Sequence, residues 1–277
     1  MQIQQAIAAA CSALGLDRLD AQLLLLHALG RPQDDRAWLL AHDTDMLDAG
    51  TELRYIHLTR RRAAGTPLAY LTGTREFYGL SLQVDPRVLD PRPDTETLVD
   101  WALACIRDVA VPQVIDLGTG SGAIALAIQS QRPDARVTAV DASTDALAVA
   151  RANAQRLALD VHFQPGNWLD GLDERYDLIV SNPPYIAEED PHLAQLGHEP
   201  RMALTSGRDG LDAIRTLVAQ APARLAAGGW LLLEHGWDQA DAVRTLLAQA
   251  GFSEVQSRRD LAGIERCSGG CVRRAGA

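Results

Sequence analysis

Lysine is absent from this 277-residue chain, so all 26 of its basic residues are arginines. They face 36 acids, and the net charge is −10. That balance argues against a protein that coats nucleic acid, because non-specific binding draws on a basic surface. The missing lysine itself reads as a coding bias, alongside the abundant alanine. Long apolar runs are lacking too. No stretch long and apolar enough for a membrane-spanning helix occurs. The start, Met1-Gln2-Ile3-Gln4-Gln5, has none of the basic residues that open a secretory signal. Cysteine is scarce: Cys11, Cys105, Cys267 and Cys271 are scattered apart from a C-x3-C at the end, and no His follows at zinc-finger spacing. Free thiols in a reducing compartment are expected, and no metal site. These absences point to a soluble, cytoplasmic protein.

What is present is ordinary globular composition, 47% apolar and 22% charged, in a length that suits one large domain or two smaller ones. The first seventy residues read as helices. Ile3, Ile7, Ala10 and Leu14 share one helical face, and Gly15 ends the stretch. Asp20 is placed to cap a second helix over 21–29. A third pattern covers about 45–64 and ends in Arg60-Arg61-Arg62, which suits the negative end of a helix dipole. That cluster reads first as a solvated helix end and second as a surface for an acidic partner or RNA. Glu76 to Val84 reads as a hairpin around Gly79. Pro86, Pro91 and Pro93 then form a stiff linker. The predicted organisation is an N-terminal helical domain over 1–72, a hairpin and proline-rich linker over 73–93, and an α/β domain over 94–277.

Strands and helices alternate in the last segment. Strands are predicted at 114–117, 136–140, 161–163, 176–181, 230–234 and 252–257, with 267–273 as a seventh. Helices are predicted at 94–107, from 122 onward, and at 143–156, 209–226 and 239–250. Such alternation means a mostly parallel sheet covered by helices, with its ligands at the carboxyl ends of the strands.

Two loops carry the chemistry. Gly118-Thr119-Gly120-Ser121-Gly122 follows the first strand of this domain and opens a helix. Its G-x-G-x-G spacing is not the dinucleotide G-x-G-x-x-G, and no G-K-[ST] follows. Asp141 ends the next strand, where an acid can accept hydrogen bonds from both hydroxyls of an adenosine ribose; it is also placed to cap the helix starting at Ser143. The second loop is Ser181-Asn182-Pro183-Pro184-Tyr185. Two successive prolines remove two backbone donors and hold the chain extended, which leaves carbonyls exposed. A planar group bearing NH2 can donate one proton to Asn182 and one to the carbonyl of Pro183, with the Tyr185 ring packed on its face. Asn182, Pro183 and Tyr185 are thus the expected catalytic positions. The plain alternative is a proline-rich strand exit. Glu234 and His235 read as polar residues at a strand end.

These motifs resemble S-adenosylmethionine-dependent methyltransferases that modify amide or exocyclic nitrogens. Over nearly its whole length the chain resembles the release factor glutamine N5-methyltransferases (the HemK/PrmC family). The resemblance runs through Arg61-Arg62, Gly65, Pro67, Tyr70, Gly73 and Glu76-Phe77, then Arg92-Pro93-Asp94-Thr95-Glu96, Asp116 to Gly122, Asp141 and Asn153. It continues through Asn182 to Tyr185, Glu199-Pro200, Ala203-Leu204 and Asp209-Gly210-Leu211. Glu234-His235-Gly236 and Asp260-x-x-Gly263-x-x-Arg266 complete it. Asp94 stands where the family usually has Glu, and Thr205-Ser206 where it usually has Asp-Gly. The resemblance implies a Rossmann-like seven-stranded methyltransferase domain. It implies that Gly118, Thr119, Gly120, Ser121 and Gly122 cradle the methionine half of S-adenosyl-L-methionine. Asp141 would bind its ribose and Trp168 would lie near its adenine. Asn182 would touch both donor and acceptor, with Pro183, Pro184 and Tyr185 holding the substrate. That substrate would be the glutamine of the Gly-Gly-Gln loop in class 1 peptide chain release factors, held in part by the N-terminal helices. No nucleic-acid or membrane partner is expected, and a monomer is. The rivals are a glutamine of a ribosomal protein, an adenine N6 of nucleic acid, and a non-catalytic cofactor-binding module.

Overall fold

The computed structural model describes residues 1–273; residues 274–277 of the expected final domain lie outside the described residues. The chain divides into two compact units, Met1–Thr74 and a second from Arg75 onward.

The first unit holds five helices: α1 (Ile3–Leu14), α2 (Arg18–Ala28), α3 (Arg36–Ala41), α4 (Ala49–Ala63) and α5 (Leu68–Thr72). Gly15 ends α1 at φ 68°. Helix α2 begins earlier than expected, because Asp17 and not Asp20 caps it: Leu19 N donates to Asp17 Oδ1 at 2.7 Å. Asp20 instead accepts from Arg62 Nε on α4 at 2.7 Å. Helix α4 also starts later than predicted, at the cap formed by Asp48, which accepts from Thr51 N at 3.0 Å. Ile3, Ile7, Leu24, Leu25, Leu39 and Tyr55 form the core of this unit.

The second unit opens on a two-stranded hairpin, β1 (Thr74–Phe77) with β2 (Leu80–Gln83). Its two turn residues, Tyr78 and Gly79, both have positive φ. A two-residue turn of that kind matches the twist of the flanking strands. A short 3-10 turn at Pro93–Thr95 leads into α6 (Glu96–Cys105). Then follow β3 (Gln113–Leu117), α7 (Ala123–Gln131), β4 (Arg136–Asp141), α8 (Thr144–Leu157), β5 (Val161–Pro165) and β6 (Tyr176–Ser181). The long connection after β6 carries 3-10 turns at Pro191–Leu196 and Arg201–Ala203. The chain ends with α9 (Asp212–Arg224), β7 (Leu225–Glu234), α10 (Ala240–Gln249), β8 (Ser253–Arg259) and β9 (Glu265–Cys271).

Seven strands form one sheet in the order β5-β4-β3-β6-β7-β9-β8. All are parallel except β9, which runs antiparallel to both neighbours. Strand side chains alternate between faces. Ile115, Leu117, Ile179, Leu231 and Leu233 pack on one face with Ile214 and Leu217 of α9 and Val243 and Leu247 of α10. The strand order reverses at β3 and β6, so the loops after these two strands flank the crevice where open α/β sheets bind ligands. Ser181 at the end of β6 donates its hydroxyl to the carbonyl of Leu117 at the end of β3, at 2.6 Å. This bond pins the roots of both loops. No described helix is long and apolar enough to cross a membrane. All four cysteines are free thiols. Among the described residues, no group of three or more His, Cys, Asp or Glu side chains is placed to hold a metal ion.

Candidate active site

The loop after β3 is fixed from beneath. The amides of Gly118 and Thr119 both donate to the carbonyl of Val140, at 2.8 and 3.0 Å. Gly118 has φ 71°, and a Cβ built there would lie 3.3 Å from the Trp168 ring. Glycine is required both for the turn and for that ring's approach. Thr119 and Ser121 point into the protein and are buried. The Thr119 hydroxyl donates to Asp116 Oδ2 at 2.6 Å, and Ala125 N donates to the same oxygen at 3.2 Å. Asp116 is fully buried, Oδ1 has no partner, and burial pushes its carboxyl up to about 7. Asn153 of α8, also fully buried, donates from Nδ2 to the carbonyls of Ser121 and Gln83, both at 3.0 Å. Its Oδ1 accepts from Gln83 N at 2.7 Å. One amide thus ties the glycine loop to the hairpin.

Asp141 projects from the end of β4. Its Oδ2 accepts from Gly120 N and its Oδ1 from Ser143 N, each at 2.8 Å. The cap of α8 is Ser143, whose hydroxyl accepts from Ala146 N at 3.2 Å. Asp141 therefore joins the loop to the helix start, and each oxygen keeps a lone pair for a ligand hydroxyl. Burial raises its carboxyl above the ordinary range, against the two amides that lower it. Trp168 sits beside it with φ 55°, a left-handed conformation that costs about 1–3 kcal/mol in a bulky residue and is tolerated mainly at functional sites.

The loop after β6 supplies the other wall. Asn182 Nδ2 donates to the Thr95 hydroxyl at 3.3 Å. Among the described residues nothing donates to Asn182 Oδ1 or to the carbonyl of Pro183. The Tyr185 hydroxyl donates to Glu234 Oε1 over a long 3.4 Å, and burial with this acid pushes its pKa upward, so it stays protonated. Glu234 is 1% exposed, its Oε2 has no partner, and burial pushes its carboxyl up to about 7. The loop is braced from behind. Gln239 Nε2 donates to the carbonyl of Tyr185 at 3.0 Å. Ile186 pairs with the 204–206 segment through Ile186 N to Leu204 O and Ser206 N to Ile186 O, both at 2.9 Å. The Ser206 hydroxyl accepts from Ala213 N at 2.7 Å, which gives the Thr205-Ser206 departure a place in the scaffold. Asp94, the other departure, still reaches Arg266 at 3.5 Å.

Two cavities meet here. The larger in total empty space, about 740 Å³ when its opening to solvent is counted, is lined by Gly118, Gly120, Asp141, Trp168, Asn182 and Pro184, with Met202 at its rim. The smaller is lined by Arg92, Asn182, Tyr185, Ile186 and Leu196. Asn182 lies on both. Of the residues singled out from sequence, Thr119, Ser121, Gly122 and Pro183 line neither cavity. Thr119 and Ser121 hold the loop from within, Gly122 starts α7, and the Pro183 ring is buried. Thr95 and Glu234 were the residues that sequence reasoning passed over. Thr95 stood only in a motif carried by resemblance, and Glu234 read as a strand-end acid.

This architecture is that of a Rossmann-like S-adenosylmethionine-dependent methyltransferase. Residues 100–199 match the family model of the methyltransferase small domain, and residues 2–73 that of the PrmC N-terminal domain. The release factor glutamine methyltransferase of Bordetella pertussis is 56% identical over 260 residues, 92% of this chain and 95% of that protein. Its counterpart from Burkholderia pseudomallei is 56% identical over 266 residues, 92% of each chain. A methyltransferase structure from Pyrococcus furiosus shares the fold at 18% identity and a TM-score of 0.54, covering 79% of this chain and 98% of the other. The chain belongs to the release factor glutamine methyltransferases.

Proposed function

We propose that this enzyme transfers a methyl group from S-adenosyl-L-methionine to the side-chain amide nitrogen, N5, of the glutamine in the Gly-Gly-Gln motif of class 1 peptide chain release factors. The observation that carries this reading is Asn182, set where two cavities meet with its carbonyl unclaimed. The larger cavity suits the donor. A glycine loop leaves the backbone open to close approach, and a carboxylate with spare lone pairs stands at the strand end. Gly118, Gly120, Asp141, Trp168, Asn182 and Pro184 would hold it, with Thr119, Ser121 and Gly122 shaping the loop. When bound, S-adenosylmethionine supplies an activated methyl on a sulfonium.

A glutamine amide is a poor nucleophile, because its lone pair is delocalised into its carbonyl. The protein's task is therefore placement. Asn182 Oδ1 and the Pro183 carbonyl accept the two amide protons and aim the nitrogen at the larger cavity. Tyr185 walls the smaller cavity and lays its ring along the planar amide. Arg92 lines the same cavity, its guanidinium held by Glu199 Oε2 at 2.6 Å. It is a donor within reach of the amide carbonyl that none of the acceptors can serve.

On the same reading, residues 1–72 help hold the release factor, 73–93 link, and 94–277 carry the chemistry. The enzyme acts in the cytoplasm, as a monomer, without direct nucleic-acid contact. The test offers labelled donor with purified release factor, ribosomal protein and DNA side by side. Label is expected on the release factor alone. Label on DNA or ribosomal protein but not on the release factor would overturn the proposal.

A further inference from the structure

We infer that Gln239 is a positioning residue for methyl transfer: its carboxamide fixes the backbone of the loop after β6, and with it the setting of the Pro183 carbonyl and the Tyr185 ring. The inference rests on the reaction proposed above. This loop cannot hold itself. Pro183 and Pro184 have no amide proton to give. Among the described residues, the only hydrogen bond made by the backbone of residues 183–185 is the one that the carbonyl of Tyr185 accepts from Gln239 Nε2, at 3.0 Å. The next peptide nitrogen, Ile186 N, donates to Leu204 O at 2.9 Å. One peptide unit is thus pinned at both its oxygen and its nitrogen. The direction in which Tyr185 meets the smaller cavity follows from that unit.

The Gln239 carboxamide is matched on every side. Its Oε1 accepts from Gly236 N at 2.8 Å, and its NH2 donates to two carbonyls, that of Tyr185 and, at 3.3 Å, that of Asp209. A donor on one side and two carbonyls on the other allow only this orientation. Two glycines make the room. A Cβ on Gly210 would lie 2.9 Å from Gln239 Nε2, and one on Gly236 would lie 3.0 Å from Oε1. One side chain therefore joins the loop after β7, the loop after β6 and the connection before α9. It does so in place of serving its own helix. Gln239 is the N-cap of α10, a position where Asp, Asn, Ser or Thr would cap the helix with a side-chain oxygen, and its side chain makes no such bond. A residue suited to the helix would be shorter; this one reaches the loop. Gln239 lines neither cavity, so it acts through the loop that it holds.

The test uses the full-length enzyme with release factor as acceptor and two variants, Gln239→Glu and Gln239→Ala. Turnover, KM for the release factor, donor affinity by calorimetry and melting temperature are measured for each. Gln239→Glu keeps the size and the acceptor for Gly236 N, but it sets a carboxylate against two carbonyls and drives that of Tyr185 away. It is expected to lower kcat by at least ~10-fold, as misplacement of a reacting group does, with KM and donor affinity close to wild type. Gln239→Ala loses all three bonds but repels nothing, and its kcat is expected to lie between those of Gln239→Glu and wild type. A side chain that only stabilised the fold would give the opposite order, and would weaken donor binding together with turnover. Wild-type kcat in Gln239→Glu overturns the inference, as does a Gln239→Ala enzyme slower than Gln239→Glu, or a donor affinity that falls in step with kcat. Should Gln239→Glu fail to fold, Gln239→Ala decides: lower kcat at unchanged donor affinity supports the role, and any other result overturns it. If the wild-type enzyme labels no release factor, the reaction itself is wrong, and that result is seen before any variant is compared.

Discussion

Asn182 gives its NH2 to Thr95 and keeps its carbonyl unclaimed, and truncation separates a role in turnover from one in the fold. Asn182→Ala is expected to leave the melting temperature within a degree or two and to cut turnover by at least ~10²-fold, the scale on which one positioned polar group acts. A purified variant with near wild-type turnover would falsify the assignment. Asp116 offers a residue-scale prediction of another kind. Burial holds its folded carboxyl at about 7, against 3.8 when exposed. The folded state therefore binds this proton more tightly. Its contribution to stability is full below 3.8 and is lost as pH rises through about 7. Melting curves across that window should show wild type losing ground to Asp116→Asn as pH rises. His235, pushed down by burial, and Glu234, pushed up, are common to both proteins and cancel in the comparison. A constant difference across the window would show that Asp116 does not titrate there. Asn182 and Asp141 were legible in the sequence because each sits in a short local pattern. Glu234 was not, because what marks it is its contact with the hydroxyl of Tyr185, which lies far away in the chain.

At the scale of elements, the loop after β6 depends on a close approach of Gly210 to the carbonyl of Tyr185. A Cβ on Gly210 would lie 2.2 Å from the carbonyl oxygen of Tyr185, and its φ of 76° disfavours any side chain. Gly210→Ala must displace backbone on one side or the other. It is expected to lower turnover while leaving donor affinity intact, since Gly210 lines neither cavity. Calorimetry with the donor beside a turnover assay checks both halves, and equal loss in both would place the damage elsewhere. The long amphipathic helices and the apolar strands were readable from periodicity. Helices α3 and α5, with six and five residues, were not, because so few residues make no complete face. Strand β9, expected at 267–273, runs over Glu265–Cys271 although its composition is weak for a strand. Its Gly269 and Gly270 are small because Leu232 and Phe252 fill the space their side chains would take, so the strand lacks the apolar signature of its neighbours. The insertion of β9 between β7 and β8 has no local mark at all.

For the molecule as a whole, charge is distributed unevenly. Residues 1–80 hold eight arginines and nine acids, and the remaining chain holds 18 arginines and 27 acids. The strongly negative part is the one that bears both cavities. Such a surface repels a polyphosphate and leaves a folded protein acceptor as the better match. On the proposed reading, the carbonyls of Asn182 and Pro183 also set the stoichiometry. They are matched to a nitrogen with two protons. After one transfer that nitrogen has only one, and one carbonyl is left facing a methyl. On that reading the product is held more weakly than the substrate and is not presented for a second round. Mass spectrometry of a release factor treated to completion is expected to show one methyl on the glutamine and no dimethylated species. If the expectation holds, the enzyme counts by hydrogen bonds, and the reaction stops at one because the count no longer matches.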